Sequence, residues 1–260
     1  MISKSETKES SLRGSSILSG LKASKGISRI DHYLANVSEN KVVNFYKKDD
    51  ICLIKAEGIV KENFSQYRKS WFEQPKLAIN KLKINNNSPA PDRPLSLDLE
   101  LAAICDLACP YCFRQTYVTP DKVMPKKLAF ELIDQASELG IPSIKFNWRG
   151  EPLLNPNIAE IIKYAKNKGI LDTIINTNAT RLNENMAQKL IDAGLDQIIY
   201  SFDGGTKETY EKNRIGRFSR NEFEPVYQNI RNFNVVKDRL SAQFPWTKIQ
   251  MILTPETYQE

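Results

Sequence analysis

Histidine is almost missing. The 260-residue chain has one, His32, and most acid–base, hydrolytic and non-haem iron sites lean on an imidazole. His32 reads as a surface residue. Cysteine is scarce as well. There are four, three of them in one short loop, which is no disulfide framework. No stretch approaches the ~18 consecutive apolar residues of a membrane-spanning helix, so no membrane partner is expected. A basic block is lacking too. Lys and Arg number 37 against 31 Asp and Glu, a net charge of +6, and the excess is spread along the chain. That pattern fits a solvated surface better than a nucleic-acid footprint. Residues 1–28 lack the apolar core of a secretory signal. They are rich in Ser and Lys, Glu6 and Glu9 count against a transit peptide, and they read as a disordered tail.

What is present begins with Cys105, Cys109 and Cys112, spaced C-x3-C-x2-C. Three thiolates can hold three irons of a [4Fe–4S] cube, whereas a cube ligated by protein alone uses four. The fourth iron is then open to a small molecule. The alternative is a zinc knuckle, which needs four ligands. Only Cys52 and His32 remain to supply one, and both lie far upstream. Spacing and ligand count favour the cluster, and Cys52 reads most simply as a buried small apolar residue. A low-potential cluster needs a reducing compartment, which points to the cytoplasm.

With 41% hydrophobic and 26% charged residues, the chain is long enough to bury one large domain, or a domain plus an extension. Residues 29–94 read as a small α+β extension. Segments 42–46 and 51–54 suit two strands. Residues 61–83 carry Phe64, Tyr67, Trp71 and Phe72 at helix-like spacing. A linker rich in Asn and Pro follows over 85–94. From residue 95 the pattern changes to alternating strands and helices. Strands are expected over 95–103, 143–148, 171–177, 197–202 and 248–253. Helices are expected over 125–139, 157–168, 183–193 and 222–237, the first three followed by Gly140, Gly169 and Gly194. Regular βαβα alternation predicts an α/β fold with a parallel sheet. The chemistry-bearing segments all follow strand ends, where parallel barrels place their sites.

The cysteine run resembles the cluster loop of the radical S-adenosylmethionine (SAM) superfamily, C-x3-C-x-aromatic-C, with Tyr111 in the aromatic position. Three further segments resemble the family in order: Arg149-Gly150-Glu151-Pro152, Asn176-Thr177-Asn178, and Ser201-Phe202-Asp203-Gly204 with Arg214 beyond it. The resemblance implies a partial (β/α)6 TIM-like barrel over 95–260, similar to SPASM-type members of the family. Its implied cofactors are SAM and a [4Fe–4S] cluster held by Cys105, Cys109 and Cys112. It also implies SAM contacts from Tyr111, Phe113, Gly150, Glu151, Pro152, Asn176, Asn178, Ser201, Asp203 and Arg214. The reaction it implies is reductive cleavage of SAM to a 5′-deoxyadenosyl radical, which takes hydrogen from a peptide or another small-molecule substrate such as a carbohydrate. The electron would come from a donor such as flavodoxin or ferredoxin. A non-enzymatic iron–sulfur or zinc module is the competing expectation. Two positions depart from the family pattern: Arg149 and Ala179 stand where it usually has glycine. Only five core strands are counted, so an open sheet edge at the fifth strand and a polypeptide running past Glu260 are expected.

Overall fold

The computed structural model describes residues 59–85, 93–117 and 119–260. The expected tail, the strands at 42–46 and 51–54, His32, Cys52 and most of the linker lie outside the described residues. Five strands, β1 (Leu97–Asp98), β2 (Ser143–Lys145), β3 (Asp172–Thr177), β4 (Gln197–Ser201) and β5 (Trp246–Gln250), form one sheet in chain order. Every neighbouring pair is parallel. Parallel neighbours need a crossover, and each crossover here carries a helix. These are α2 (Lys126–Glu138), α3 (Ile158–Asn167), α4 (Glu184–Asp192), then the short α5 (Lys207–Asn213) together with α6 (Phe223–Arg239). The long helix α1 (Ile59–Asn85) precedes the sheet.

The helices bury the stripes their periodicity predicts: Ala129, Ile133 and Ala136 on α2, Ile158, Ile161, Ile162 and Ala165 on α3, and Val226, Ile230, Phe233 and Val236 on α6. They pack on one face of the sheet, where Ile144, Ile175, Ile198 and Tyr200 complete the core. The other face holds Lys145, Asn176 and Ser201, all half-buried, and Gln250, which is exposed. Period-two alternation thus divides the sheet into an apolar, helix-covered side and an open side that becomes polar toward the carboxyl ends.

Three strands differ from the sequence pattern, each because of a long-range partner. Beyond Asp98 the chain still pairs with β2 once, Leu99 N–H donating to the Lys145 carbonyl at 2.8 Å. It then turns to Val123, with an antiparallel bridge from Ala102, so β1 is shorter than 95–103. The second strand stops at Lys145 by the same measure, although Phe146 N–H still donates to the Ile174 carbonyl. The fifth strand is shifted toward its amino end. Gln197 pairs with Trp246 and Ser201 with Gln250. Past that point Ile252 N–H donates to Asp203 Oδ1 at 2.8 Å, and the chain leaves the sheet. The apolar run Met251–Ile252–Leu253 marked the wrong residues. Among the described residues β5 is an edge strand, with Thr247 to Gln250 exposed.

On α1 the expected packing face divides. Phe64 and Tyr67 are buried against Leu95, Leu171 and Trp246, whereas Trp71 and Phe72 are exposed. Leu171 and Trp246 stand at the starts of β3 and β5, so this helix covers the amino ends of the strands. The helix α5 was not expected. A reciprocal capping box between Thr206 and Thr209 starts it.

Candidate active site

At the opposite end of the sheet the carboxyl termini of β1 to β4 release four segments that meet. The loop after β1 carries the cysteines. All three are half-buried free thiols, and the turn between the last two is closed by Cys112 N–H on the Cys109 carbonyl at 3.0 Å. The loop is stitched to the segment after α5. Ala108 N–H donates to the Ile215 carbonyl, Arg217 N–H donates to the Asp106 carbonyl, and Leu107 bridges Gly216. Donors approach two sulfurs: Leu107 N–H lies 3.5 Å from Cys105 Sγ, and Arg214 Nη1 lies 3.7 Å from Cys109 Sγ. Burial pushes the Cys105 thiol up to about 12, and the Glu151 charge adds to it. Burial also raises Cys109, against the pull of the Arg214 guanidinium. Neighbouring thiols oppose each other's ionisation, Cys109 acting on Cys105 and Cys112 on Cys109. The sulfurs therefore share one neighbourhood.

The segment after β2 passes directly beneath the start of this loop. A Cβ on Gly150 would lie 2.1 Å from the Ala102 carbonyl oxygen and 2.4 Å from that of Ile104. Only glycine permits this approach, and it lets Glu151 N–H donate to the Ile104 carbonyl at 2.9 Å. Pro152 is buried and opens the short turn Pro152–Leu154. Arg149, standing where the family pattern has glycine, turns outward. It grips Glu100 through Nε at 2.9 Å and Nη2 at 2.6 Å, a bidentate tie between the ends of β1 and β2.

Glu151 was expected among the SAM contacts. Its side chain instead lies 2% exposed, with both oxygens engaged. Oε1 accepts from Leu153 N–H at 3.0 Å and from Thr177 Oγ1 at 2.7 Å, and Oε2 accepts from Asn178 N–H at 2.8 Å. Glu151 thus latches the end of β2 to the end of β3. All three partners are neutral, and burial pushes the carboxyl up to about 7 in spite of them. Asn178 carries the latch onward, donating from Nδ2 to Asp106 Oδ1 at 2.8 Å, with Cys105 Sγ 3.9 Å away. Asp106 Oδ2 accepts from Thr180 Oγ1 and Arg181 Nε. Ala179, the other departure from the family's glycine, has φ +62, so the loop keeps a glycine-like conformation without the residue.

Asp203 and Arg214 were also expected among the SAM contacts. The two side chains meet each other, Nη2 to Oδ2 at 2.7 Å, in the interior. Asn176 and Ser201 stand on the open face. Asn176 Nδ2 donates to Gln250 Oε1 at 3.3 Å, and its Oδ1 is buried without a partner. Tyr111 and Phe113 stand at the rim, 40% and 48% exposed. Sequence reasoning missed Asp106, Thr177, Thr180 and Arg181. Asp106 carried a signal, being the one charged residue inside the cysteine loop. The others are identified only by their partners.

A family model for the Radical SAM superfamily matches residues 99–260. The chain belongs to this superfamily. Its relatives include a probable GTP 3′,8-cyclase of Methanothermobacter marburgensis, 37% identical over 45% of this chain and 38% of the relative. The AdoMet-dependent heme synthase of Methanosarcina barkeri is 32% identical over 49% and 37%. The PqqA peptide cyclase of Gluconobacter oxydans is 32% identical over 48% and 34%. The match therefore spans less than two fifths of each of these curated relatives. Among solved structures, Streptococcus suis SuiB bound to S-adenosylmethionine shares the fold with TM-score 0.52, at 21% identity over 72% of this chain and 40% of that one. The five parallel strands are thus those of the radical SAM partial barrel.

A radical SAM enzyme works with a [4Fe–4S] cluster and SAM, and the loop fits that cluster. Three free thiols lie together at the strand ends with N–H donors on two sulfurs, the environment that stabilises and tunes thiolate-bound iron. Among the described residues no three His, Cys, Asp or Glu side chains close on a single point. A cube takes its thiolates at separate corners. Among the described residues, no helix is long and apolar enough to cross a membrane.

Proposed function

We propose that residues 95–260 form a SAM-cleaving radical core acting on a polar substrate, a peptide or a carbohydrate, and that residues 29–94 are an extension to it. When bound, the cluster supplies one electron to the sulfonium of SAM, releasing methionine and a 5′-deoxyadenosyl radical. The chain's own residues hold and orient. Cys105, Cys109 and Cys112 would hold the cluster, three thiolates leaving it open to a small molecule such as SAM. Tyr111 and Phe113 stand at the rim where an adenine would pack. Gly150, Glu151, Pro152 and Asn178 set the spacing of the strand ends below the cysteine loop. Asn176 and Ser201 offer polar groups on the open face. An acidic low-potential carrier such as flavodoxin or ferredoxin would deliver the electron.

One observation carries the substrate class. The open face beneath the cluster loop presents Lys145, Asn176, Ser201 and Gln250, all with donor or acceptor groups, whereas the apolar side of the sheet is closed by helices. Hydrogen-bonding groups on an open face suit a substrate rich in amides or hydroxyls. The name of the peptide cyclase among the relatives is consistent with the peptide option.

Anaerobic reconstitution with iron and sulfide, then reduction in the presence of SAM, tests the reading. We expect methionine and 5′-deoxyadenosine in equal amounts. Deuterium should pass from a labelled peptide or carbohydrate substrate into the 5′-deoxyadenosine. A colourless protein that binds zinc and leaves SAM intact would sink it in favour of a structural module.

A further inference from the structure

The pair formed by Arg214 and Asp203 does more than join two loops. Their side chains are 11% and 3% exposed, so both charges are taken out of water. Asp203 Oδ1 is occupied by Ile252 N–H at 2.8 Å, and the Asp203 carbonyl accepts from Asn213 Nδ2 at 2.9 Å. Arg214 is held along its backbone as well. Its N–H donates to the Tyr210 carbonyl at 2.8 Å, and its own carbonyl accepts from Asn221 Nδ2 at 2.8 Å. The guanidinium is a rigid fork, always charged. One terminal nitrogen takes Asp203, and the other lies 3.7 Å from Cys109 Sγ. Its Nε is buried without a partner.

We propose that Arg214, aimed by Asp203, is a positioning residue that sets the reduction potential of the cluster through the sulfur of Cys109. The inference rests on the radical SAM reading above. When bound, the cluster would take one electron from a low-potential one-electron donor and give it up to the SAM sulfonium, so its reduced form would carry one more negative charge than its oxidised form. A hydrogen bond and a desolvated positive charge at a ligand sulfur favour the more negative form and raise the potential. Asp203 works in the opposite direction by charge, and in the same direction by holding the fork in place. A purely structural pair would need no nitrogen on the sulfur, since a buried ion pair is replaceable by packed apolar groups with little loss of stability.

The experiment is a redox titration of the reconstituted full chain, read by the paramagnetic resonance of the reduced cluster. Wild type is compared with Arg214→Gln, Arg214→Lys and Asp203→Asn. Arg214→Gln should leave the cluster about tenfold less reduced at a given ambient potential, a midpoint about 59 mV more negative for a one-electron couple. Arg214→Lys keeps the charge without the fork and should fall between Gln and wild type. Asp203→Asn removes a negative charge while its amide oxygen can still accept from the fork, so it should move the midpoint positive. If Arg214→Gln takes up no cluster, the Lys and Asn variants decide alone, again by the opposite signs of their shifts. Unmoved midpoints in loaded variants overturn the inference, as do shifts of one sign throughout, which a loosened loop would give. A wild-type chain that takes up no cluster overturns the radical SAM reading and this inference with it.

Discussion

The two ends of the sheet use the same device to different effect. At the amino ends Asp196 is a buried carboxylate, and its Oδ2 accepts from Thr173 N–H at 2.8 Å, Thr173 Oγ1 at 2.9 Å and Lys166 Nζ at 2.8 Å. Asp172 beside it accepts from Gln197 Nε2, while Tyr67 of α1 covers the same end. There the acid joins β3 to β4 and meets a cation directly. At the carboxyl ends Glu151 joins β2 to β3, but only neutral donors reach it. A buried cation of that end, Arg214, is on Asp203 and Cys109 instead. One end is electrostatically closed. The other keeps a buried acid beside three thiols, an arrangement that favours binding of something positive. The iron of the cluster would supply that positive charge at the thiols.

The strongest way to break the comparison lies at the cysteines. Replacing Cys105, Cys109 or Cys112 by Ala should abolish cluster uptake, measured as iron and sulfide per chain, while Cys52→Ala leaves it intact. Loss of iron in the Cys52 variant would contradict a three-thiolate site. Next comes the closed end. Asp196→Ala leaves the partly buried Lys166 with the Leu171 carbonyl at 3.2 Å and removes three acceptor contacts, and should cost about 3 kcal/mol in denaturant unfolding. A cost under about 1 kcal/mol would mean that this end is no more braced than a surface.

The open end should instead show itself through pH. Glu151 has a folded pKa of about 7, raised from 4.5. A raised value means the folded state holds its proton more tightly. The linked stability is therefore fully present below about pH 4.5 and is lost as pH rises to about 7. For the cluster-free chain that loss amounts to about 3 kcal/mol at most. Glu151→Gln should flatten this stretch of the stability curve while lowering its level, because the amide turns a donor toward Asn178 N–H. The smallest effect belongs to Ala179. Gly at this position relieves about 1 kcal/mol of left-handed strain and adds comparable freedom to the unfolded chain. Ala179→Gly should therefore change stability by less than about 0.5 kcal/mol. Ala179→Val should cost about 2 kcal/mol, because a β-branched side chain tolerates that φ poorly.

Legibility followed the range of the interactions. The helices on α2, α3 and α4 were readable within a residue or two because apolar spacing and a following glycine are local signals. The strands were readable as elements but not as boundaries. β1 is cut short by Val123 and β5 is displaced by its register with β4 and by Asp203. On α1, the aromatic spacing showed a helix but not that Trp71 and Phe72 would stay exposed. In the site, the cysteine ligands were legible because thiolate spacing depends on residue type. The side-chain roles of Glu151, Asp203 and Arg214 were not, because each is defined by a partner on another segment.

By itself the sequence determined the thiolate spacing, the order of the four strand-end segments and the periodicities that make an α/β sheet. These depend on neighbours a few residues apart and survive without knowledge of the fold. Only the tertiary structure decided which partners the buried charges would meet: Glu151 with Thr177 and Asn178, Asp196 with Lys166, Asp203 with Arg214 and, through it, Cys109. Such pairings are set by strand register and crossover length. A buried carboxylate must take whatever donors those bring within reach, since leaving it unpaired costs more than most single contacts return.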